Sequence, residues 1–220
     1  MRKDKYSAIK LRKQNKSYNE ISQKLGIPKS NLVYWFKNEN WSKDIKKNLS
    51  QKTIIASTKR LILMNKAKKE KWEKWRQGFR DQANSEFQKL KNNELFIVGL
   101  MLYWGEGDSK IENSLVRLAN IDPKMIIIFI NFLQEICLVP TNKIKISIIS
   151  YFDIDDDKCK NFWSKTLNIP QSQFFKIQHI RGQHPTKRLS YGICNVIVCS
   201  RALKEKIFTW LELYKDELIK

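Results

Sequence analysis

Residues 43–93 contain no proline and a single glycine, Gly78. A stretch of that length without a breaker is best satisfied by helix, because helix supplies every backbone hydrogen bond locally. Met64, Trp72, Trp75, Phe79, Ala83, Phe87 and Leu90 recur at intervals of three, four or a multiple of four, which is one apolar stripe of an amphipathic helix. About 28 residues at ~1.5 Å each give a rod of roughly 40 Å. The other side carries Lys66, Lys68, Lys69, Lys71, Lys74, Arg76 and Arg80, a one-signed surface suited to tracking phosphates. This basic helical connector, residues 42–93, separates a small module over residues 1–41 from a larger domain over residues 94–220.

Charge is divided just as unevenly. The net charge is +20, with 25 Lys/Arg against 8 Asp/Glu up to residue 93 (+17) and 17 against 14 beyond it (+3). A cationic surface of that size attracts polyanions, nucleic acid above all, by releasing their counterions. No stretch is long and apolar enough to span a bilayer. The start, MRKDKYSAIK, lacks the apolar core of a secretory signal. The expected setting is therefore the cytoplasm, on the nucleoid, with no membrane partner. Cys137, Cys159, Cys194 and Cys199 show no CxxC spacing and read as free thiols.

Residues 5–38 read as three short helices. The first spans 5–14. Ser17 followed by Glu20 forms a capping box for the second, over 18–25, which buries Ile21 and Leu25. Gly26 supplies a tight turn and Ile27 fills the gap between helices. Ser30 is expected to cap a third helix carrying Leu32, Val33, Trp35 and Phe36. The segment SYNEISQKLGIPKSNLVYWF resembles a helix-turn-helix of the resolvase and sigma-factor type. That resemblance implies that the third helix enters the major groove of double-stranded DNA, presenting Lys29, Ser30, Asn31, Tyr34 and Lys37. Asn31 would read an adenine edge, and Lys29 and Lys37 would hold phosphates. One such unit binds weakly, so a second DNA-binding surface or a dimer is expected.

From residue 94 helices and strands alternate. LFIVGLMLYWG (95–105) is an apolar helix and SLVRLANI (114–121) a strand. Asp122-Pro123 pairs an N-cap with proline at the first helical position, opening a helix to about residue 138. The alternation KIKISI (143–148) marks a half-buried strand. A helix opens at Asp155, and QFFKIQHI (173–180) and YGICNVIVC (191–199) read as two more strands. A last helix covers about 201–218. The order αβαβαββα defines an α+β domain.

Within it, GLMLYWGEGDSK (99–110) sets a single glutamate, Glu106, between Gly105 and Gly107 at the tip of an apolar helix. A carboxylate there opposes the helix dipole unless a cation compensates it. GLMLYWGEG resembles the LAGLIDADG helix of homing endonucleases, RLANIDPKMIIIFINFL the strand and helix that follow it, and YGICNVIVCS a later strand. In that register Glu106 stands at the metal-binding acid and is the candidate catalytic residue, with Asp108 as second ligand. Gly99 and Gly105 would let this helix approach the same helix of a second copy. Paired acids from the two copies would then hold Mg²⁺ or Mn²⁺, which generates hydroxide and neutralises phosphate charge. Met101 stands where the family has glycine, and Trp104 where a small or acidic residue is common. The acidic run Asp153, Asp155, Asp156, Asp157 is a rival metal cluster, and also suits a helix start.

The resemblance further implies a curved sheet lying on DNA. Its polar side would present Arg117, Lys143, Lys145, Ser147, Lys176, Gln178 and Asn195, with Arg181, Lys187 and Arg188 gripping backbone. Two readings stand: a metal-dependent, homodimeric DNA endonuclease, favoured by the intact Glu106, or a non-cleaving DNA-binding regulator, favoured by Met101 and Trp104. A third, RNA processing, is opposed by the helix-turn-helix pattern.

Overall fold

A computed structural model describes residues 3–181 and 190–219. These residues form a mixed α+β chain of eight α-helices and a four-stranded sheet, and divide into two compact units, residues 1–72 and 73–220. None of the helices is long and apolar enough to cross a membrane.

The first unit holds α1 (Lys3–Lys13), α2 (Tyr18–Leu25) and α3 (Lys29–Phe36). The capping box forms as its residues dictate: Ser17 Oγ accepts from the Glu20 amide and the Glu20 carboxylate accepts from the Ser17 amide at 2.8 Å. Gly26 then adopts φ 66°, a left-handed turn that a Cβ would strain. Ala8, Ile21, Ile27, Leu32 and Phe36 close a small core. Two expectations are corrected. α3 begins one residue before Ser30, with Pro28 at the cap position and no side-chain cap, because Pro28 already fixes the backbone there. Val33 points to solvent, since Leu32 and Phe36, four apart, are enough to fill the space against α2.

Arg12 is the residue that this core could not reveal in advance. Its guanidinium is buried and donates to Ser42 Oγ (3.1 Å), Ser42 O (2.9 Å) and Lys16 O (2.8 Å), while lying 4.4 Å from the Tyr18 ring centre. Burial lowers its pKa, with Tyr18 acting in the opposite sense.

The connector is one helix, α4 (Asn40–Leu90), of 51 residues, longer than its apolar stripe suggests. Trp41 and Ser42 pack into the first unit, and Ala83 and Phe87 are buried in the core of the second. Met64 is exposed, so the stripe packs only in its later turns. Lysines along the whole helix make it favourable in water without a partner face.

In the second unit, α5 (Glu94–Glu106) leads to β1 (Val116–Asn120), α6 (Pro123–Asn131), β2 (Ile144–Tyr151), α7 (Asp156–Leu167), β3 (Gln178–Ile180), β4 (Ile193–Val198) and α8 (Arg201–Leu218). The strand order is β1-β4-β2-β3; β4 is antiparallel to both neighbours, and β2 and β3 run parallel. Asp122 and Asp155 cap α6 and α7 through their side chains, and Ser200 caps α8. Val116, Leu118, Ile144, Ile146, Ile148, Cys194, Val196 and Val198 alternate onto one face of the sheet, where they join Phe96, Leu100, Phe129, Trp163 and Trp210 from the helices. Each such large side chain contributes about 2–3 kcal/mol by leaving water.

Two further differences from the sequence reading are structural. The expected strand 173–180 reaches only Gln178–Ile180. Gln173 sits in a 3-10 turn, where its buried amide donates to Thr141 O (2.7 Å) and Ile144 O (2.6 Å), so its backbone leaves the ladder. α6 gives way to a π-helical turn, Phe132–Ile136, and ends at Leu138 with φ 54°.

Candidate functional site

The tip of α5 is built from close contacts. Gly107 closes the helix by donating to Tyr103 O at 2.9 Å, at φ −86°. Glycine is required there for space: a Cβ would stand 2.6 Å from Tyr103 Cδ2 and 2.8 Å from Cε2, as well as against the Tyr103 carbonyl. The chain then joins the edge of β1, where Gly107 bridges Leu118 and the Asp108 amide donates to Arg117 O at 2.9 Å. Glu106, the last residue of the helix, is exposed. Its carboxylate makes no hydrogen bond or ion pair with any described residue, and it stands beside the strand that carries Arg117.

Asp108 behaves in the opposite way. Its side chain is 6% exposed. Oδ1 accepts from the Lys110 amide (3.0 Å), Oδ2 accepts from Asn113 Nδ2 (2.7 Å), and the Lys204 ammonium lies 4.0 Å from Oδ2. Burial pushes the carboxyl pKa up, but the bonds from Asn113 and Lys110 and the charges of Lys204 and Arg117 outweigh it and leave it below its ordinary value. The Asp108 carbonyl accepts from Tyr103 Oη (3.0 Å) and Lys204 Nζ (2.7 Å). Burial, followed by the Asp108 charge, raises the Tyr103 hydroxyl well above its usual range, so it stays a donor.

The expected second metal ligand is thus corrected to an anchor. Both carboxylate oxygens are spent within the loop 108–113, and the Asp108 carbonyl ties that loop to Tyr103 of α5 and Lys204 of α8. Among the described residues no three His, Cys, Asp or Glu side chains converge as a metal set. The donors of one chain do not form a divalent-cation set at this tip: Asp108 is engaged, and among the described residues Glu106 and Glu112 are the nearby exposed acids without a hydrogen bond or ion pair. Asp155 of the rival acidic run is the N-cap of α7, accepting from Lys158 N at 2.9 Å. Asp156 faces His179 at 3.3 Å.

Gly99 is also reassigned. It is buried in its own chain, and a Cβ would overlap the Phe132 ring, so its smallness serves the packing of α5 on the π turn. The outward face of α5 is instead formed by Val98, Met101 and Gly105, with Leu102 at its flank; Gly105 has open space around it. Trp104 is half exposed, with Lys215 Nζ 5.2 Å from its ring centre.

On the sheet, cross-strand register brings Arg117, Ile197 and Lys145 into one row of the face opposite the core. The next row is Ala119, Asn195, Ser147, and the one after it ends in Gln178 opposite Ile149. Arg117, Lys143 and Gln178 are exposed and Lys145 is half-buried. Asn195 and Ser147 share this face but are sunk into it, with Asn195 Nδ2 donating to the Ser147 carbonyl at 3.2 Å. Their expected role as presented groups is corrected to a buried seam. Lys176 and Arg181 are exposed outside strands, and Lys187 and Arg188 lie outside the described residues. In the first unit all five candidates on and just after α3, Lys29, Ser30, Asn31, Tyr34 and Lys37, are exposed.

Arg76 and Arg80 leave the expected phosphate-tracking set. Glu205, 1% exposed, accepts from Arg80 Nε (2.8 Å) and Arg201 Nε (2.8 Å), with Arg76 Nε at 3.9 Å, and Glu73 bonds both α4 arginines. A spacing signal on α4 alone could not expose this pairing, since Glu205 lies 125 residues from Arg80. Lys66, Lys68, Lys69, Lys71 and Lys74 are exposed. Comparison with protein-family models, characterised proteins and solved structures returns no match.

Proposed function

We propose that the protein binds double-stranded DNA at specific sites and cleaves it as a LAGLIDADG-type, divalent-metal-dependent endonuclease, acting as a homodimer. The observation that carries this reading is the stitching of the α5 tip to the edge of β1. It holds Glu106, exposed at the helix end, one residue before the bridge to β1, the strand that carries Arg117. Because no three acids converge within one chain among the described residues, the metal site in this reading is shared: Glu106 of each of two copies would hold Mg²⁺ or Mn²⁺. The cation would supply an activated water and neutralise charge on the scissile phosphate. The exposed apolar face of α5, with Val98, Met101 and Gly105, is the surface on which the second copy would pack.

The exposed α3 residues, in a helix-turn-helix, would read the major groove, Asn31 on a base edge and Lys29 and Lys37 on phosphates. The α4 lysines and Arg117, Lys143, Lys145, Lys176, Gln178 and Arg181 would extend the contact, mostly to the backbone. A specific observation also supports the second reading, a non-cleaving regulator: Asp108 is fully engaged, and Met101 sits on the face where two helices would have to meet.

Selection of bound duplexes from a randomised pool, followed by Mg²⁺ and sequencing of the ends, tests both. Recovered sites with defined cut positions support the nuclease. Enriched sites that stay whole in Mg²⁺ and Mn²⁺ favour the regulator. No enrichment at all contradicts specific DNA binding.

A further inference from the structure

Three irregularities of the second unit can be followed to one cavity. The π-helical turn Phe132–Ile136 ends α6, and π turns of this kind often mark functional positions. Leu138 follows in the left-handed region at φ 54°, a conformation that branched side chains rarely adopt, and its side chain is 78% exposed. Phe175, displaced from the ladder, is 49% exposed. Leu138 and Phe175, with Cys137 at the end of the π turn, border a cavity of about 780 Å³, which also takes in Val139, Leu203, Lys143 and Lys145.

Its charge is equally lopsided. No acid lines it. Of its three lysines, Lys206 is neutralised by Glu86 at 2.7 Å, whereas Lys143 and Lys145 have no ionic or hydrogen-bonding partner among the described residues. The volume lies in the range of small-molecule sites, of order 300–1,000 Å³. A duplex backbone, polar and rigid, would leave the apolar walls bare.

The geometry points to a binding site for a small anionic amphiphile: an apolar chain or ring system seated among Leu138, Val139, Phe175 and Leu203, with one carboxylate-like head on Lys143 and Lys145. Glu106 does not line this cavity, and the proposal does not depend on the DNA reading; it gives Lys143 and Lys145 a carboxylate partner in place of phosphates. Two cationic heads beside apolar walls recognise such a ligand by charge and by exclusion of water together, so neither half suffices.

Titration calorimetry of the full chain with decanoate, octanoate and decanol, all below micelle-forming concentrations, tests it. Decanoate is expected to bind one to one, about tenfold tighter than octanoate, because each added methylene leaves water. Decanol should bind at least ~10-fold more weakly, as should decanoate to the K143Q/K145Q double variant, since a charge-assisted bond is lost in each case. Ala202→Trp, which fills the cavity, should abolish binding; if that variant unfolds, the lysine variant still decides the matter. Absence of decanoate binding below about 1 mM, or decanol binding as tightly as decanoate, overturns the proposal. A glutamate-rich amphipathic peptide that binds where decanoate does not overturns it too, in favour of a protein partner.

Discussion

The Lys204 ammonium, buried to 0% exposure, donates to the Asp108 carbonyl at 2.7 Å and faces its carboxylate at 4.0 Å. This contact between α8 and the loop after α5 separates two acids that stand only two residues apart. Asp108 is part of the framework, and Glu106 is what the framework displays. Lys204→Met, which leaves the Asp108 carboxylate without its counter-charge, is predicted to lower unfolding free energy by about 3 kcal/mol. Glu106→Gln should change it by less than about 0.5 kcal/mol. Urea unfolding of the full chain measures both, and equal losses would contradict this division of roles.

The second buried charge set makes a similar prediction. Glu205 is almost fully enclosed and bonded to Arg80 and Arg201, so Glu205→Gln removes a charge that those guanidinium groups need. A loss of about 3 kcal/mol is expected, because the arginines remain partly buried without a counter-ion. Calorimetric melting should report it as a lowered midpoint of the second unit. Glu73→Gln, on the exposed side of the same arginines, should lower the midpoint far less than Glu205→Gln.

In the first unit Arg12→Lys keeps the charge and loses the fork. Three hydrogen bonds to Ser42 and Lys16 reduce to one at most, for a predicted destabilisation of about 2 kcal/mol. Amide exchange at Ile21 and Leu32 should accelerate accordingly. Unchanged exchange would mean that the guanidinium contributes nothing to this core.

The capping box predicts a pH dependence. Backbone and side-chain bonds from Ser17, and the bond from Lys16, lower the Glu20 pKa from 4.5 to about 2. A carboxyl whose folded pKa is depressed adds stability above its unfolded value and loses it as pH falls. The contribution is therefore complete above about pH 4.5 and fades on the way to about pH 2. An NMR titration of the Glu20 carboxyl should find its midpoint near 2, and a midpoint near 4.5 would contradict the bonded box.

What could be read from the sequence follows from the range of each interaction. The Ser17–Glu20 box, Asp122 before Pro123, and the Asp155 cap depend on neighbours within a turn, and local spacing is enough to find them. The four strands were legible because alternation declares a face, although Gln173 and its two carbonyl partners shortened the third. Lys204 and Asp108 are 96 residues apart, and Arg80 and Glu205 are 125, so helix periodicity offered Arg80 to solvent, and the family resemblance at the α5 tip offered Asp108 to a metal. Gly99 shows the same limit. A small residue announces that something comes close, but Phe132 of the same chain was as compatible with the sequence as a second helix. Sequence reasoning missed Lys204, Arg12 and Glu205 altogether, since a buried charge has no signature until its partner is known.

The account rests most heavily on Glu106, and comparison of the wild-type chain with E106Q on a plasmid library carrying randomised sites, in Mg²⁺, tests it directly. The wild type should cut a defined subset. E106Q should bind the same subset with unchanged affinity and cut it at least ~100-fold more slowly, because each copy has lost the ligand it contributes to the shared site. Equal cutting by the two proteins, or no cutting by either, would contradict the shared-acid centre.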